Sequence, residues 1–167
     1  MAIQEQHGLA GQLTIVVRDR AGREVDRRWV KNRITTVGKT LLAQIFGGVA
    51  VGKPTLAIAV GTGGPADSEG QVAAPADGDT TLVEQLDQAL ASVLPVRTEN
   101  AAERPKVIAT VTATLPVTPD GSEQALREAG ILITLPNQEP VLYNRVTFPT
   151  VTRTGNLQLT LTWEVSF

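Results

Sequence analysis

The chain has 167 residues, of which 42% are hydrophobic and 19% charged, and its formal net charge is −2. This length and composition predict one soluble globular domain, and so small a charge gives no indication of a nucleic-acid or membrane partner. The absence of cysteine excludes disulfides and thiolate metal sites, as expected of a chain made in a reducing cytosol. No apolar run reaches the roughly 18 residues of a membrane helix, and the first residues do not have the form of a signal peptide.

The beginning of the chain predicts a flexible segment over residues 1–11 and then a β-hairpin. His7, the only histidine, lies in that segment, where we expect neither a metal ligand nor a general base. Residues 12–18 read as a strand, the sequence DRAGRE as a turn in which Gly22 can adopt positive φ, and VDRRWVKNRI as the returning strand. The expected apolar face of the returning strand carries Val25, Trp29 or Val30, and Ile34.

This hairpin is rich in positive charge, opposed in the same stretch only by three acidic residues, Asp19, Glu24 and Asp26. One interpretation is a solvated hairpin stabilised by cross-strand charge pairs. The other is a basic patch that binds an acidic partner protein. The candidate interface residues are Arg18, Arg20, Arg23, Arg27 and Arg28, with Lys31 and Arg33 beside them.

The next segment carries a helix pattern. Thr35 or Thr36 can cap its start, and Gly47–Gly48 can end it. Between them, apolar residues recur at helical spacing. The pattern predicts a helix of about three turns at most, with Leu41, Leu42, Ile45 and Phe46 on one side.

The middle of the chain predicts a strand at Leu56–Val60 and then a long exposed loop over residues 61–80, rich in Gly, Pro, Ala and acidic residues. Loops of this length are often functional, or are ordered by a neighbouring molecule. The sequence TTLVEQLDQALASVL follows with leucines about four residues apart, which favours a helix. A partly extended conformation is the alternative, because Pro95 disfavours helix at Leu94.

The second half predicts mostly strands. Residues 106–118 are dense in β-branched side chains, a turn follows at Asp120–Gly121, and residues 122–128 suggest one or two helical turns. Strands are then expected at 131–135 and 141–149, with Leu142, Asn144, Val146 and Phe148 on one face. The last segment, Leu157 to Phe167, alternates apolar and polar residues throughout, so Trp163 belongs to its buried face.

These elements together predict a mainly β fold. We expect an antiparallel β-sandwich of about seven strands with one or two short helices, forming a single β-rich domain over residues 12–167.

No motif in the sequence indicates catalysis or a cofactor. The Gly38–Lys39–Thr40 string lacks the earlier glycine of a P-loop, since Arg33 occupies that position. The glycines of Val60–Gly64 do not open a helix, as a dinucleotide site requires. Asp77–Gly78–Asp79 lacks the alternating acids of a calcium loop and is better explained as a turn. We therefore predict a protein that is not an enzyme and holds no cofactor or metal.

Three polar residues are expected to have structural roles. Asn144 lies on an apolar face, so its amide should bond to a loop or an adjacent strand. Arg145 should then face outward, where it can pair with Glu128 or with a neighbouring subunit. Glu128, predicted at a helix end where the helix dipole does not favour it, needs an arginine partner, Arg145 or Arg33.

Six strings of the sequence, in order over about residues 30–167, resemble bacteriophage tail and tail-fibre-type virion proteins. They are KNRITTVGKTLLAQIFGG, PTLAIAVGTGGPADS, DTTLVEQL, REAGILITL, LYNRVTFP and LTLTWEVSF. The resemblance implies a non-enzymatic building block of the tail, neck, baseplate or fibre base. The positions that it marks as architectural are Asn32, Gly61, Thr62, Gly63, Asp79, Leu82, Glu84, Glu128, Gly130, Arg145 and Trp163.

The chain lacks the repetitive shaft and host-binding tip of the fibre members, which favours an adaptor, collar, baseplate or capsid-decoration role. The resemblance implies other virion proteins as partners, a homo-oligomer or ring, and location in a virion assembled in the bacterial cytoplasm, with no direct nucleic-acid or membrane contact. Long loops that become ordered on docking suit such assemblies. The alternative is a carbohydrate- or receptor-binding sandwich, such as a fibre tip or adhesin, which would need exposed aromatic side chains.

Overall fold

The computed structural model describes residues 9–101 and 104–167 as two antiparallel β-sheets with one helix. The first sheet has the order β2-β1-β11-β8-β6, and β7 also pairs with β8. Its strands are β1 (Ala10–Asp19), β2 (Glu24–Lys31), β6 (Ser92–Val93), β7 (Arg97–Ala101), β8 (Arg104–Leu115) and β11 (Leu157–Ser166).

The second sheet has the order β3-β10-β9-β4-β5. Its strands are β3 (Arg33–Ile34), β4 (Thr55–Gly61), β5 (Gln85–Leu90), β9 (Gln124–Thr134) and β10 (Val141–Arg153), and the helix α1 (Thr36–Phe46) connects β3 to β4. One continuous apolar core takes side chains from both sheets. The predicted mainly β, antiparallel sandwich is confirmed.

The first and last strands form the centre of the first sheet. They pair over ten residues, from Ala10 opposite Ser166 to Asp19 opposite Leu157. The predicted alternation of the last strand is present, with Leu159, Leu161, Trp163 and Val165 buried. Phe167 was expected on this buried face, but its side chain is 57% exposed, because the core ends one pleat before it.

Trp163 connects the two sheets. Its side chain is fully buried, and its indole N–H donates to Asn32 Oδ1 at 3.1 Å. Asn32 lies between β2 and β3, where the chain passes from the first sheet to the second. The hydrogen bond therefore holds this crossover against the central strand.

The flexible segment predicted over residues 1–11 is wrong for its last two residues. Residues 1–8, including His7, lie outside the described residues. Ala10 and Gly11 already belong to β1, because their backbones join the ladder to Ser166 and Val165.

The prediction for the apolar face of β2 is wrong for two residues, Val25 and Trp29. Val30 is half-buried opposite Leu13, but Trp29 is 67% exposed and Val25 is also exposed. Asp26 and Arg28 share the inward side with Val30, since β2 is an edge strand that extends past the apolar core. Arg28 reaches the second sheet there and donates to the Pro149 carbonyl at 2.8 Å.

The two other segments predicted to be helical form strands. Residues 85–90 form β5, which pairs with β4, for example Leu90 opposite Ala57. Residues 124–128 begin β9 and pair with β10, with Gln124 opposite Arg153. Glu, Gln, Leu and Ala give both segments helix propensity, but pairing with a neighbouring strand supplies backbone hydrogen bonds and outweighs that weak preference.

The helix α1 is as predicted. Thr35 caps it and accepts a hydrogen bond from the Gly38 N–H at 3.0 Å, and Gly47 follows its last residue. Leu41 is buried on the core side, whereas Phe46 at the last turn is 96% exposed.

A bulge in β10 changes the predicted face of that strand. The register shifts between Leu142 and Asn144, so that Leu142 lies opposite Leu132 while Asn144 lies opposite Ile131. Val146 and Phe148 enter the main core, but Leu142 packs with Ala59 on the outer side of the second sheet. No simple alternation can predict such an extra residue.

No helix in the described part of the chain has both the length and the apolar character needed to cross a membrane.

Replacing Trp163 tests the central connection. We expect Trp163→Ala to lower the free energy of unfolding by about 3–5 kcal/mol, because it leaves a cavity between the sheets. Urea unfolding followed by circular dichroism measures this loss. Trp29→Ala is the matched control and should lie within about 0.5 kcal/mol of the wild type, since Trp29 is 67% exposed. Equal midpoints for Trp163→Ala and wild type would contradict the assigned role.

Candidate interaction surfaces

A cluster of three charged side chains lies on the outer side of the second sheet. Glu128 of β9 and Arg145 of β10 are both buried, and Arg145 Nε donates to Glu128 Oε2 at 2.9 Å. Arg145 Nη1 donates to Asp79 Oδ2 at 3.0 Å. The cluster thus joins two neighbouring strands to a residue of the long loop.

The same carboxylate also holds the end of that loop. Glu128 Oε1 accepts from the Glu84 N–H at 2.9 Å, and Oε2 accepts from the Val83 N–H at 3.1 Å. Buried polar groups need such partners, so Glu128 satisfies two loop amides and one guanidinium together. The end of the loop, at Val83 and Glu84, is consequently held on the sheet.

Two glycines make this close approach possible. A Cβ atom at Gly61 would lie 2.2 Å from the Glu84 carbonyl oxygen, and one at Gly130 would lie 2.6 Å from the Asn144 carbonyl oxygen. Leu82 packs in the space that remains, against Ala59 and Leu142. The loop is therefore attached to the sheet by buried contacts near its end. We call these contacts the loop anchor: the bonds of Glu128 and Arg145 to Asp79, Val83 and Glu84, and the packing of Leu82.

Arg145 and Glu128 have different surroundings from those predicted, whereas Asn144 bonds to an adjacent strand as predicted. Arg145 does face away from the main core, but the loop covers it and leaves it 1% exposed, so it is not available to a neighbouring subunit. Glu128 lies in a strand and not at a helix end. Of its two candidate partners, Arg145 makes the contact, while Arg33 pairs with Asp77 at 3.3 Å. Asn144 Oδ1 accepts from the Ile131 N–H of the adjacent strand at 2.9 Å.

A second buried arginine was not singled out from the sequence. Arg153 is 1% exposed, donates from Nε to the Pro116 carbonyl at 2.6 Å, and pairs through Nη1 with Asp87 at 2.6 Å. These contacts join the ends of β10, β8 and β5. The only feature of the sequence that indicates burial of Arg153 is its position two residues after Val151, which places both side chains on the same side of the strand.

The five hairpin arginines all bond within the chain. Arg23 pairs with Asp19 at 2.8 Å, and Arg27 with Glu24 at 2.7 Å. These contacts lower the pKa of both carboxyl groups, that of Asp19 chiefly through the Arg23 backbone N–H and that of Glu24 through the Arg27 side chain. The remaining contacts are Arg28 with Asp26, Arg20 with the Gly155 carbonyl, and Arg18 with the Gly22 carbonyl. Most of these ion pairs join residues of one strand or of the turn, and the pair that does cross between strands, Arg18 with Glu24, is 3.9 Å long. The charges are therefore paired within the chain, but mostly not across strands as the first interpretation expected, and a docking role stays a prediction.

The sandwich is open at the end where β11 finishes and α1 ends. A cavity of about 270 Å³ lies between the sheets there. Its lining is entirely apolar and includes Leu42, Ile45, Leu56, Val93, Val165 and Phe167. Every layer of the fold thus contributes apolar side chains to one opening.

Large hydrophobic side chains are exposed around this opening. Phe46 is 96% exposed, Leu90 77% and Phe167 57%. We define the apolar end as the exposed residues of the segments that border the cavity, which are Ile45, Phe46, Val49, Val51, Leu90, Val93, Leu94, Val96 and Phe167. Contiguous exposed apolar surface of this kind marks interaction sites in soluble proteins.

Tyr143 borders the same cavity and is 4% exposed. Its hydroxyl is buried, and no described residue makes a hydrogen bond with it. Burial disfavours the phenolate and raises the pKa of Tyr143 to about 12.

No cluster of three or more His, Cys, Asp or Glu side chains among residues 9–101 and 104–167 is arranged to hold a metal ion. Comparison of the chain with models of protein families, with curated proteins and with solved structures finds no match. Any function for this chain therefore has to be argued from its own surfaces.

Removing the Glu128 carboxylate tests the loop anchor. Glu128→Ala leaves Arg145 buried without this partner and frees two loop amides, so we expect a loss of about 3–5 kcal/mol in the free energy of unfolding. Limited proteolysis should also cut within residues 62–84 sooner than in the wild type. The control is Glu24→Ala, which removes an exposed ion pair and should leave both readouts unchanged. Equal protease resistance in Glu128→Ala would show that the loop is held by other contacts.

The pKa of Tyr143 predicts a pH dependence. The folded protein keeps the phenolic proton up to about pH 12, whereas an unfolded chain releases it near 10.0. Between these values the native state binds more protons, so stability falls as pH rises and the full contribution is present below pH 10. Because Tyr143 is the only tyrosine, absorbance at the tyrosinate wavelength reports on it alone. Ionisation near pH 10 in protein that is still folded by circular dichroism would contradict this.

Proposed function

We propose that this chain is a non-enzymatic structural protein that acts as one subunit of a homo-oligomer, joined to its neighbours through the apolar end. The observation that carries the proposal is the exposure of nine large hydrophobic residues in the segments that border one opening of the sandwich, of which Ile45, Val93 and Phe167 line its cavity. A monomer would keep this surface in water at a cost of roughly 25 cal/mol for each Å².

The aromatic content of the apolar end supports an interface. Phe46 and Phe167 project from two different elements, and aromatic residues are enriched at the centres of protein interfaces. A second copy of this chain is the occupant that supplies a matching apolar surface, because a two-fold contact pairs the same patch on both subunits.

The anchored loop supports a role as a building block. Glu128 and Arg145 hold Asp79, Val83 and Glu84 on the second sheet, so the chain entropy of this end of the loop is already lost before assembly. A subunit with a preformed surface associates more favourably than one whose loops must first become ordered.

The setting that we propose is a bacteriophage virion, as a tail, neck, baseplate, collar or decoration component in contact with other virion proteins. Support comes from the sequence resemblance and from the contacts that its marked residues make. Asp79, Glu84, Glu128 and Arg145 all take part in the loop anchor, and Asn32 bonds to Trp163. These are contacts of an architectural kind.

Analytical ultracentrifugation tests the oligomer. We expect the wild type to sediment as a species heavier than the 17.7 kDa monomer, and Phe46→Glu with Leu90→Glu to return it to the monomer. Val25→Glu is the control, since Val25 is 53% exposed at the opposite end of the sandwich and should leave the mass unchanged.

A wild type that stays monomeric at every concentration would overturn the proposal. The proposed location in a virion is tested by a separate experiment. An antibody against the chain should label purified particles of the phage that encodes it. If the particles are not labelled but the purified chain still forms the oligomer, the proposed virion location is wrong and the proposed oligomer is unaffected.

A further inference from the structure

An exposed tryptophan lies on the outer face of the first sheet, away from the apolar end. Trp29 of β2 is 67% exposed, and it lies opposite Thr14 of β1. Lys31 follows two residues later on the same face, about 7 Å along the strand, opposite Gln12. An aromatic side chain is thus displayed beside a cation and short polar groups.

A row of threonines lies beside Trp29 on the outer face of the sheet. Thr14 lies opposite Thr162 of β11, which lies opposite Thr112 of β8. The hydroxyl oxygens of Thr112 and Thr162 are 3.2 Å apart. Short hydroxyl side chains leave room for a ring to lie on the indole and offer donors and acceptors close to it.

A polar cleft of about 380 Å³ adjoins this row. Small residues form part of its lining, among them Ala10, Gly11 and Ser166. Its longer side chains are Gln12, Lys31, Glu99, Lys106 and Glu164. Pockets of this size with convergent polar groups are suited to a small ligand.

The cleft has a small excess of positive charge, since Lys31, Lys106 and the adjoining Arg97 stand against Glu99 and Glu164. Arg97 Nη2 donates to Glu164 at 2.7 Å and to Glu99 at 3.2 Å, so that both carboxylates are already engaged. Neither Lys31 nor Lys106 forms an ion pair with the side chains that the structure describes. A negatively charged group would complete this arrangement.

We propose that Trp29 and the adjoining cleft bind an oligosaccharide that carries carboxylate groups. The indole takes the C–H face of one sugar ring, Gln12 and the threonine hydroxyls bond to sugar hydroxyls, and Lys31 and Lys106 pair with the acidic substituents. Trp29 and the polar side chains of the cleft lie on the outer face of the first sheet, whereas the cavity of the apolar end lies between the sheets, and the two meet where Ser166 of the cleft precedes Phe167 of the apolar end.

Binding is tested on the full chain with an array of acidic and neutral glycans, followed by calorimetry with an oligogalacturonate and a neutral cello-oligosaccharide of equal length. We expect binding to acidic glycans, weakened by salt. The intrinsic fluorescence should change on binding, since Trp163 is fully buried and Trp29 is exposed.

Variants separate the two parts of the site. Trp29→Ala should weaken binding at least about tenfold. Lys31→Gln should weaken binding of the acidic ligand and not of a neutral one, and Val25→Ala is the control that should bind as the wild type does. No acidic glycan bound by the wild type, or equal affinity in Trp29→Ala, would overturn the site. Equal affinity for acidic and neutral glycans would overturn the assignment to acidic ligands.

Discussion

The burial of Trp163 and its hydrogen bond to Asn32 connect the parts of the chain that are farthest apart in sequence. The last strand lies beside the first at the centre of one sheet, and Asn32 lies where the chain passes into the other sheet. Any displacement of the crossover would leave the indole N–H unpaired in the core, which costs free energy. The position of the crossover beside the central strand depends on this contact.

Charged side chains serve two different purposes in the fold. The exposed hairpin pairs, such as Arg27 with Glu24, lie in water, where such pairs stabilise a protein little. The Glu128–Arg145 pair is buried, so each partner depends on the other and on the loop amides that Glu128 also holds. This dependence couples the end of the loop, at Asp79, Val83 and Glu84, to the second sheet.

Two surfaces of opposite chemistry remain open to partners. The apolar end offers aliphatic and aromatic side chains around a cavity, and water is displaced from it most favourably by another apolar surface. The outer face of the first sheet offers one indole among hydroxyl and amide groups, with lysines nearby. The first surface lies between the sheets and the second on the outer face of one sheet, and they adjoin at Ser166 and Phe167.

The sequence by itself determined the last strand, the helix α1, the turn at Gly22 and the sandwich class, because these follow from side-chain periodicity and local caps. Only the tertiary structure decided that residues 85–90 and 124–128 are strands, since pairing with β4 and β10 outweighs their helix propensity. The bulge at Tyr143 and the burial of Arg145 and Arg153 were decided in the same way. The physical reason is that burial and register depend on what packs against a residue, and those neighbours come from distant parts of the chain.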